Sequence, residues 1–167
     1  MKKKVLSALL TTTMLASMLV GCGSSNEADT ADAEPAADEG KVLNIQAWNE
    51  EFKSRLTDHY PGYEEVDGTT GKIGDITVKW NITPSDDNAY QNNLDATLLK
   101  QADAATDDKI DLFLAEADYI QKYTDSDYTQ DVKPLGVTDF SNTYEYTVQC
   151  ASDASGVVKG VSFQCLA

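Results

Sequence analysis

The sequence predicts an α/β fold, a three-layer lobe with a mostly parallel sheet. Three observations carry this. Segments with strand character alternate with segments of helical period. Residues 110–115, Ile-Asp-Leu-Phe-Leu-Ala, are nearly continuously apolar, as a central parallel strand covered on both faces must be. Gly and Pro stand mainly at the joints between these segments rather than inside them.

The elements follow in order. Residues 1–21 read as an export signal. Lys2, Lys3 and Lys4 give a positive start, and residues 5–20 carry no charge and no Gly or Pro. That stretch is shorter than the roughly 20 apolar residues needed to cross a hydrocarbon core. Residues 22–40 form an acidic flexible tether. From residue 23 its only aliphatic side chains are alanines, and Glu27, Asp29, Asp32, Glu34, Asp38 and Glu39 have no Lys or Arg against them, so nothing there can form a core.

Residues 41–167 hold the domain. Residues 42–48 are rich in strand formers. Asn49 can cap a following helix with Glu50 and Glu51 in its first turn, where the helix dipole favours acids. Phe52, Leu56 and Tyr60 mark that helix's apolar face, and Pro61-Gly62 stops it. The glycine-rich residues 62–74 read as a loop. Ile76, Val78, Trp80 and Ile82 alternate with polar residues, the period of a half-buried strand near a sheet edge. Pro84-Ser85 precedes a second helix with Tyr90, Leu94, Leu98, Ala102 and Ala105 on one stripe. After the strand at 110–115, a short helix is expected over residues 116–123, another over 144–151, a turn over 153–156, and one or two strands over 157–165. An α/β domain does not normally stop inside a strand, so the lobe reads as truncated.

Charge narrows the partners. Thirteen Lys and Arg face 28 Asp and Glu, a net charge of -15. Loss of residues 1–21 would remove three of those bases and no acid. Such a surface is repelled by nucleic acid and by anionic lipid, so no nucleic acid is expected, and contact with a membrane only through an anchor.

The residues also carry a resemblance. Leu19-Val20-Gly21-Cys22 resembles the bacterial lipobox, which implies that Cys22 is the lipid attachment site and the first mature residue. Behind it come, in order, the acidic linker, Ala47-Trp48-Asn49-Glu50, then Pro84-Ser85-Asp86-Asp87-Asn88 with Tyr90-Gln91 and Leu94, then Asp111-Leu112-Phe113 and Tyr119-Ile120. This ordered set, over residues 41–164, is similar to the N-terminal part of an extracellular solute-binding lipoprotein of a carbohydrate ABC importer, in the maltose-binding-protein-like group. The resemblance implies a periplasmic-binding-protein-like fold of two α/β lobes with a sugar stacked on aromatic rings between them. It also implies ABC permease subunits as partners and a location on the outer face of the bacterial cytoplasmic membrane. Residues 156–164 resemble the segment leading out of the first lobe, so the chain reads as an N-terminal fragment with impaired binding.

Ligands of open α/β sheets bind beyond the carboxyl ends of the strands. The candidate ligand-binding residues there are Trp48, Asn49, Glu50, Asn88, Tyr90, Glu116 and Asp118. An aromatic face with carboxylate acceptors suits a sugar, whose C–H face stacks and whose hydroxyls donate. Trp48 serves equally as core packing, Glu50 as a partner of the helix dipole, and Tyr90 as the start of its helix's apolar stripe.

No enzyme is expected. His59, the only histidine, stands on a helix face beside Tyr60, and no nucleophile elbow, phosphate loop or paired metal-ligand cysteines occur. No carboxylate pair is singled out for glycoside hydrolysis. No cofactor and no metal are called for. The calcium-loop template laid on Asp125, Asp127 and Asp131 meets Gln130 where it demands Gly and Gly136 where it demands Glu. Cys150 and Cys165 stand in an extracytoplasmic setting where a disulfide is permitted. The function expected is sugar capture for a permease. The alternative from another class is a stand-alone surface lipoprotein acting as an adhesin or structural module.

Overall fold

The computed structural model describes residues 40–164. The export signal, Cys22, the tether up to residue 39 and Cys165 lie outside the described residues. Cys150 is half-buried with a free thiol.

The chain folds as an α/β domain around an open five-stranded mixed sheet. The strands are β1 (Val42–Ala47), β2 (Tyr63–Asp67), β3 (Thr70–Ile73), β4 (Ile76–Ile82) and β5 (Leu112–Phe113), in the order β2-β3-β4-β1-β5. β1 runs parallel to both β4 and β5, from Val42 opposite Thr77 to Ala47 opposite Ile82, and with Ile45 opposite Leu112. β2 with β3 and β3 with β4 are antiparallel. The three strands expected from the sequence are thus mutually parallel, but the sheet as a whole is mixed.

The difference lies in residues 62–74, where a hairpin replaces the expected loop. Its apolar signal is thin. Tyr63 and Ile73 alone reach the core formed by Ile45, Val78 and Trp80, while Glu64, Glu65, Val66 and Asp67 are exposed. Local chemistry closes the turn: the Asp67 carboxylate accepts from Thr69 N at 2.8 Å and from Thr69 Oγ1 at 3.0 Å. Gly71 lets the Tyr63 ring lie across the strand, since a Cβ there would stand 2.1 Å from the Tyr63 hydroxyl, which accepts from Trp80 Nε1 at 3.1 Å. With the hairpin outside it, β4 is the middle strand rather than a strand near the edge.

Helices cover both faces. α1 (Glu51–His59) sets Phe52 and Leu56 against Ile45, Val78 and Trp80, with Leu112 in the same cluster. α2 (Ala89–Leu98) sets Tyr90, Leu94 and Leu98 on the other face with Ile110, Tyr123 and Phe113. Adjacent Leu112 and Phe113 therefore face opposite ways, which is why residues 112–115 are apolar without a break. Only two of them are in the β ladder, and β5 pairs with β1 alone among the described strands, at the outside of the sheet instead of its centre. Buried in β1, Gln46 Oε1 has no protein partner among the described residues.

Other boundaries also shift. α1 stops before Tyr60, which is half exposed and outside the core. α2 ends at Leu98, leaving Ala102 and Ala105 exposed in turns. Residues 116–120 form a turn leading into a single helical turn, α3 (Gln121–Thr124). α4 (Glu145–Cys150) forms as expected, and Gly156, with φ at 87°, closes the turn after it. Residues 157–164 are not a strand; one bridge, Ser152 with Val158, is all that forms. That segment spends its hydrogen bonds on loops, Val158 O on Val132 N and Lys159 N on Ala151 O. No helix among the described residues is long and apolar enough to cross a membrane.

The chain enters β1 through an acidic clasp. Asp107 Oδ1 accepts from Lys41 N at 2.7 Å and Val42 N at 3.2 Å, and Asp111 Oδ2 accepts from Asn44 N at 2.8 Å. Burial pushes the Asp111 carboxyl above its ordinary range, the bond from Asn44 opposes this, and the charge of Asp107 adds to it. The folded state therefore holds this proton more firmly than the unfolded chain. The contribution to stability is full below the unfolded value near 3.8 and is lost as pH rises through the folded one. Urea unfolding of Asp111→Asn and wild type from just below pH 3.8 to neutral pH should show the variant's relative stability rising with pH and then levelling off. A difference that stays flat with pH would show that Asp111 carries no such shift.

Candidate functional site

Because β1, β4 and β5 are parallel, their carboxyl ends emerge on one side of the sheet. Residues 48–50 follow β1, 83–88 follow β4 and 114–119 follow β5, so the topology brings all seven predicted ligand residues to one rim or just beneath it. Backbone bonds lock the exits together: Thr83 N donates to Ala47 O at 2.9 Å, and Leu114 N to Gln46 O at 3.0 Å.

Tyr90 is the pin beneath this rim. It is 1% exposed, so it offers no surface to a ligand. Its hydroxyl donates to Leu114 O at 2.6 Å, lies 3.2 Å from Gln46 O, and accepts from Leu114 N at 3.1 Å. One phenol on α2 thus joins the ends of β1 and β5. Burial pushes this phenol far above its ordinary value, and the neighbouring Tyr119 adds to the shift, so it remains a neutral donor.

Trp48 is half-buried, packed edge-to-face on Tyr90 with ring centres 5.5 Å apart. It belongs to the edge of the core and still presents part of its surface at the rim. Asn49 is exposed and does not cap the helix as expected: Glu50 holds the cap position of α1 without a side-chain cap bond, and Asn49 Oδ1 accepts from Glu51 N at 2.9 Å in a local turn. Glu50 is exposed and pairs with Lys53 at 3.4 Å, a pair worth little in solvent. Lys53 is also anchored on Gly68 O at 2.7 Å, which ties the rim to the hairpin turn.

Asn88 is exposed and follows Asp87 in the left-handed region, with φ at 60° and 50°. Two successive non-glycine residues of this kind cost of order 1–3 kcal/mol each. They bend the chain from the single 3₁₀ turn Asp86–Asn88 into α2. Glu116 and Asp118 are both exposed, in the turn whose bonds run from Tyr119 N and Ile120 N to Glu116 O at 3.2 and 2.9 Å.

Sequence reasoning left out Tyr119. It is half-buried, packs edge-to-face on Tyr123 at 6.2 Å, and lies beside both carboxylates. Burial pushes its phenol up to about 12, with the charges of Glu116 and Asp118 contributing. Its position directly after Asp118 at a strand exit was the available signal. The rim therefore combines parts of two aromatic rings with carboxylate and amide oxygens and no Lys or Arg of its own besides Lys53. It can accept hydrogen bonds and stack on an apolar face; it is badly suited to an anion.

Among the described residues no three His, Cys, Asp or Glu side chains come together as a metal would need. In the loop tested against the calcium template, Asp125 Oδ1 accepts from Ala154 N at 2.8 Å and Asp131 Oδ1 from Lys133 N at 2.9 Å, so both carboxylates hold backbone. Two hollows, of about 160 and 350 Å³, include no rim residue. Asn49, Glu50, Asn88, Glu116 and Asp118 are all exposed, so the rim lies open to solvent. No protein-family model, no curated protein and no solved structure matches this chain.

Replacing Tyr90 by Phe keeps the ring contact with Trp48 and leaves Leu114 O without its donor. Denaturant unfolding should show a loss of about 1–3 kcal/mol, the cost of an unpaired buried polar group. An unchanged midpoint would show that the hydroxyl does not pin the strand ends.

Proposed function

We propose that this chain is a lipid-anchored, extracytoplasmic solute-binding component of an ABC importer and captures a sugar or oligosaccharide for a membrane permease. The observation that carries the reading is the convergence of three parallel strand ends on a rim of Trp48, Asn49, Asn88, Glu116, Asp118 and Tyr119, at the side where open α/β sheets take their ligands. Acceptor oxygens match the many hydroxyl donors of a saccharide, and the two part-exposed rings match its C–H face. Negative charge at the rim selects against phosphorylated and acidic solutes.

An open rim touches one face of a ligand and leaves the other in water. A second surface, as in two-lobed binding proteins of periplasmic-binding-protein-like fold, would enclose it. If enclosure gives micromolar binding, about 8 kcal/mol, then half of that leaves about 4 kcal/mol, a millimolar constant. Saturation-transfer NMR of the full chain with neutral mono- and oligosaccharides and with sugar phosphates should find at least one neutral sugar binding in the millimolar range. Trp48→Ala should weaken it about tenfold, with the phosphates binding more weakly still. Absence of any neutral-sugar signal at roughly tens of millimolar would overturn the reading.

Anchoring at Cys22 is part of the same proposal. In a bacterial host, labelled fatty acid should enter the wild-type protein, and Cys22→Ser should release the chain from the membrane fraction. Release without any prior labelling would refute the anchor.

A further inference from the structure

The larger hollow, about 350 Å³, shares no residue with the rim. Two short segments, residues 131–140 and 156–158, form its walls. Val132, Val137, Phe140, Val157 and Val158 make the interior apolar, Val132 being buried and the other four half-buried. Backbone bonds hold the walls in shape. Val132 N donates to Val158 O at 3.0 Å and so ties one wall to the other, while Val132 O accepts from Leu135 N at 3.1 Å and from Val137 N at 3.2 Å. On the second wall the Asp153 carboxylate accepts from Val157 N at 2.9 Å. The volume stands at the lower end of small-molecule sites, roughly 300–1,000 Å³, and is over twice that of an apolar cavity of about 150 Å³ that holds a benzene ring.

Two charged residues of opposite sign, Asp131 and Lys133, flank Val132 in the same wall. Lys133 is exposed and Asp131 half-buried, so both charges stand outside the apolar interior. Lys133 has no ion pair among the described residues. Asp131 Oδ1 accepts from Lys133 N at 2.9 Å, which fixes the carboxylate and leaves Oδ2 without a bond among the described residues. The nearest other charges on the second wall, Asp153 and Lys159, pair with each other at 3.8 Å. The hollow thus offers one cation and one anion beside a space for an apolar group. A chain of net charge -15 repels a simple anion and draws a simple cation to its whole surface, whereas a zwitterion is affected by neither.

We infer that this hollow binds a large apolar α-amino acid as its zwitterion. The side chain fills the space among the valines and Phe140, the ligand carboxylate meets the Lys133 ammonium, and the ligand ammonium meets Asp131 Oδ2. The site is independent of the rim: binding here neither needs nor implies a sugar at the strand exits.

The test is amide chemical-shift titration of the isotopically labelled full chain with L-phenylalanine, with L-alanine, with phenylpropionate, which lacks the ammonium, and with phenethylamine, which lacks the carboxylate. Phenylalanine should shift the amides of Val132, Val137 and Val158 with a dissociation constant on the order of 0.1–1 mM. Alanine should bind at least about tenfold weaker, and each of the two truncated analogues about three- to fivefold weaker, the worth of one exposed ion pair. Lys133→Gln should weaken phenylalanine by that same factor without weakening phenethylamine, and Asp131→Asn should weaken phenylalanine without weakening phenylpropionate. Phenylpropionate binding as tightly as phenylalanine, or phenylalanine binding equally well to wild type and Lys133→Gln, would overturn the zwitterion site. Shifts confined to the rim amides, or none at the hollow with roughly tens of millimolar phenylalanine, would overturn it as well.

Discussion

A single phenol holds the functional side of this domain together. The Tyr90 hydroxyl reaches Leu114 O and N and lies within 3.2 Å of Gln46 O, so α2, β1 and β5 share one buried polar junction below the rim. β5 needs such a tie. It contributes two residues to the sheet, pairs with β1 alone among the described strands, and would otherwise hold its exit turn by few backbone bonds. The positions of Glu116, Asp118 and Tyr119 descend from that junction, and so does the orientation of Trp48, which leans on the Tyr90 ring. Burial that keeps the phenol neutral is the condition for its donating at all.

The opposite pole is built from a different chemistry. There the Asp107 and Asp111 carboxylates receive the first backbone amides of β1, and Asn44 Nδ2 donates to Asp107 O and Lys109 O at 2.9 Å each. Gly40, with φ at 69°, fits because a Cβ would stand 2.5 Å from Asp107 Oδ1. The chain thus enters the sheet at the end remote from the strand exits.

Much of this architecture was legible in the amino acids. Alternation at Ile76, Val78, Trp80 and Ile82 marks a strand with one buried face, and the unbroken apolarity of residues 112–114 marks one covered on both. Those patterns survive because each side chain's burial is set by its own strand's pleat. The hairpin was not legible, because Tyr63 and Ile73 are too sparse to reveal a period and the glycines resemble those of a loop. Strand order was also hidden: β4 looks like an outer strand because Lys79 and Asn81 are exposed, yet β2 and β3 extend the sheet past it. At the rim the strand exits were readable one by one. Their convergence was not, since it depends on parallel pairing across more than sixty residues, and Tyr119 was passed over because its neighbours carried the charge.

The account's central claim is that ligand chemistry resides at the carboxyl ends of β1, β4 and β5. Amide chemical-shift mapping of the isotopically labelled full chain, titrated with a neutral oligosaccharide, tests it most directly. The account predicts the largest shifts at Asn49, Asn88 and residues 116–119. Shifts confined to the larger hollow around Val132, Phe140 and Val158, with the rim amides unmoved, would contradict it.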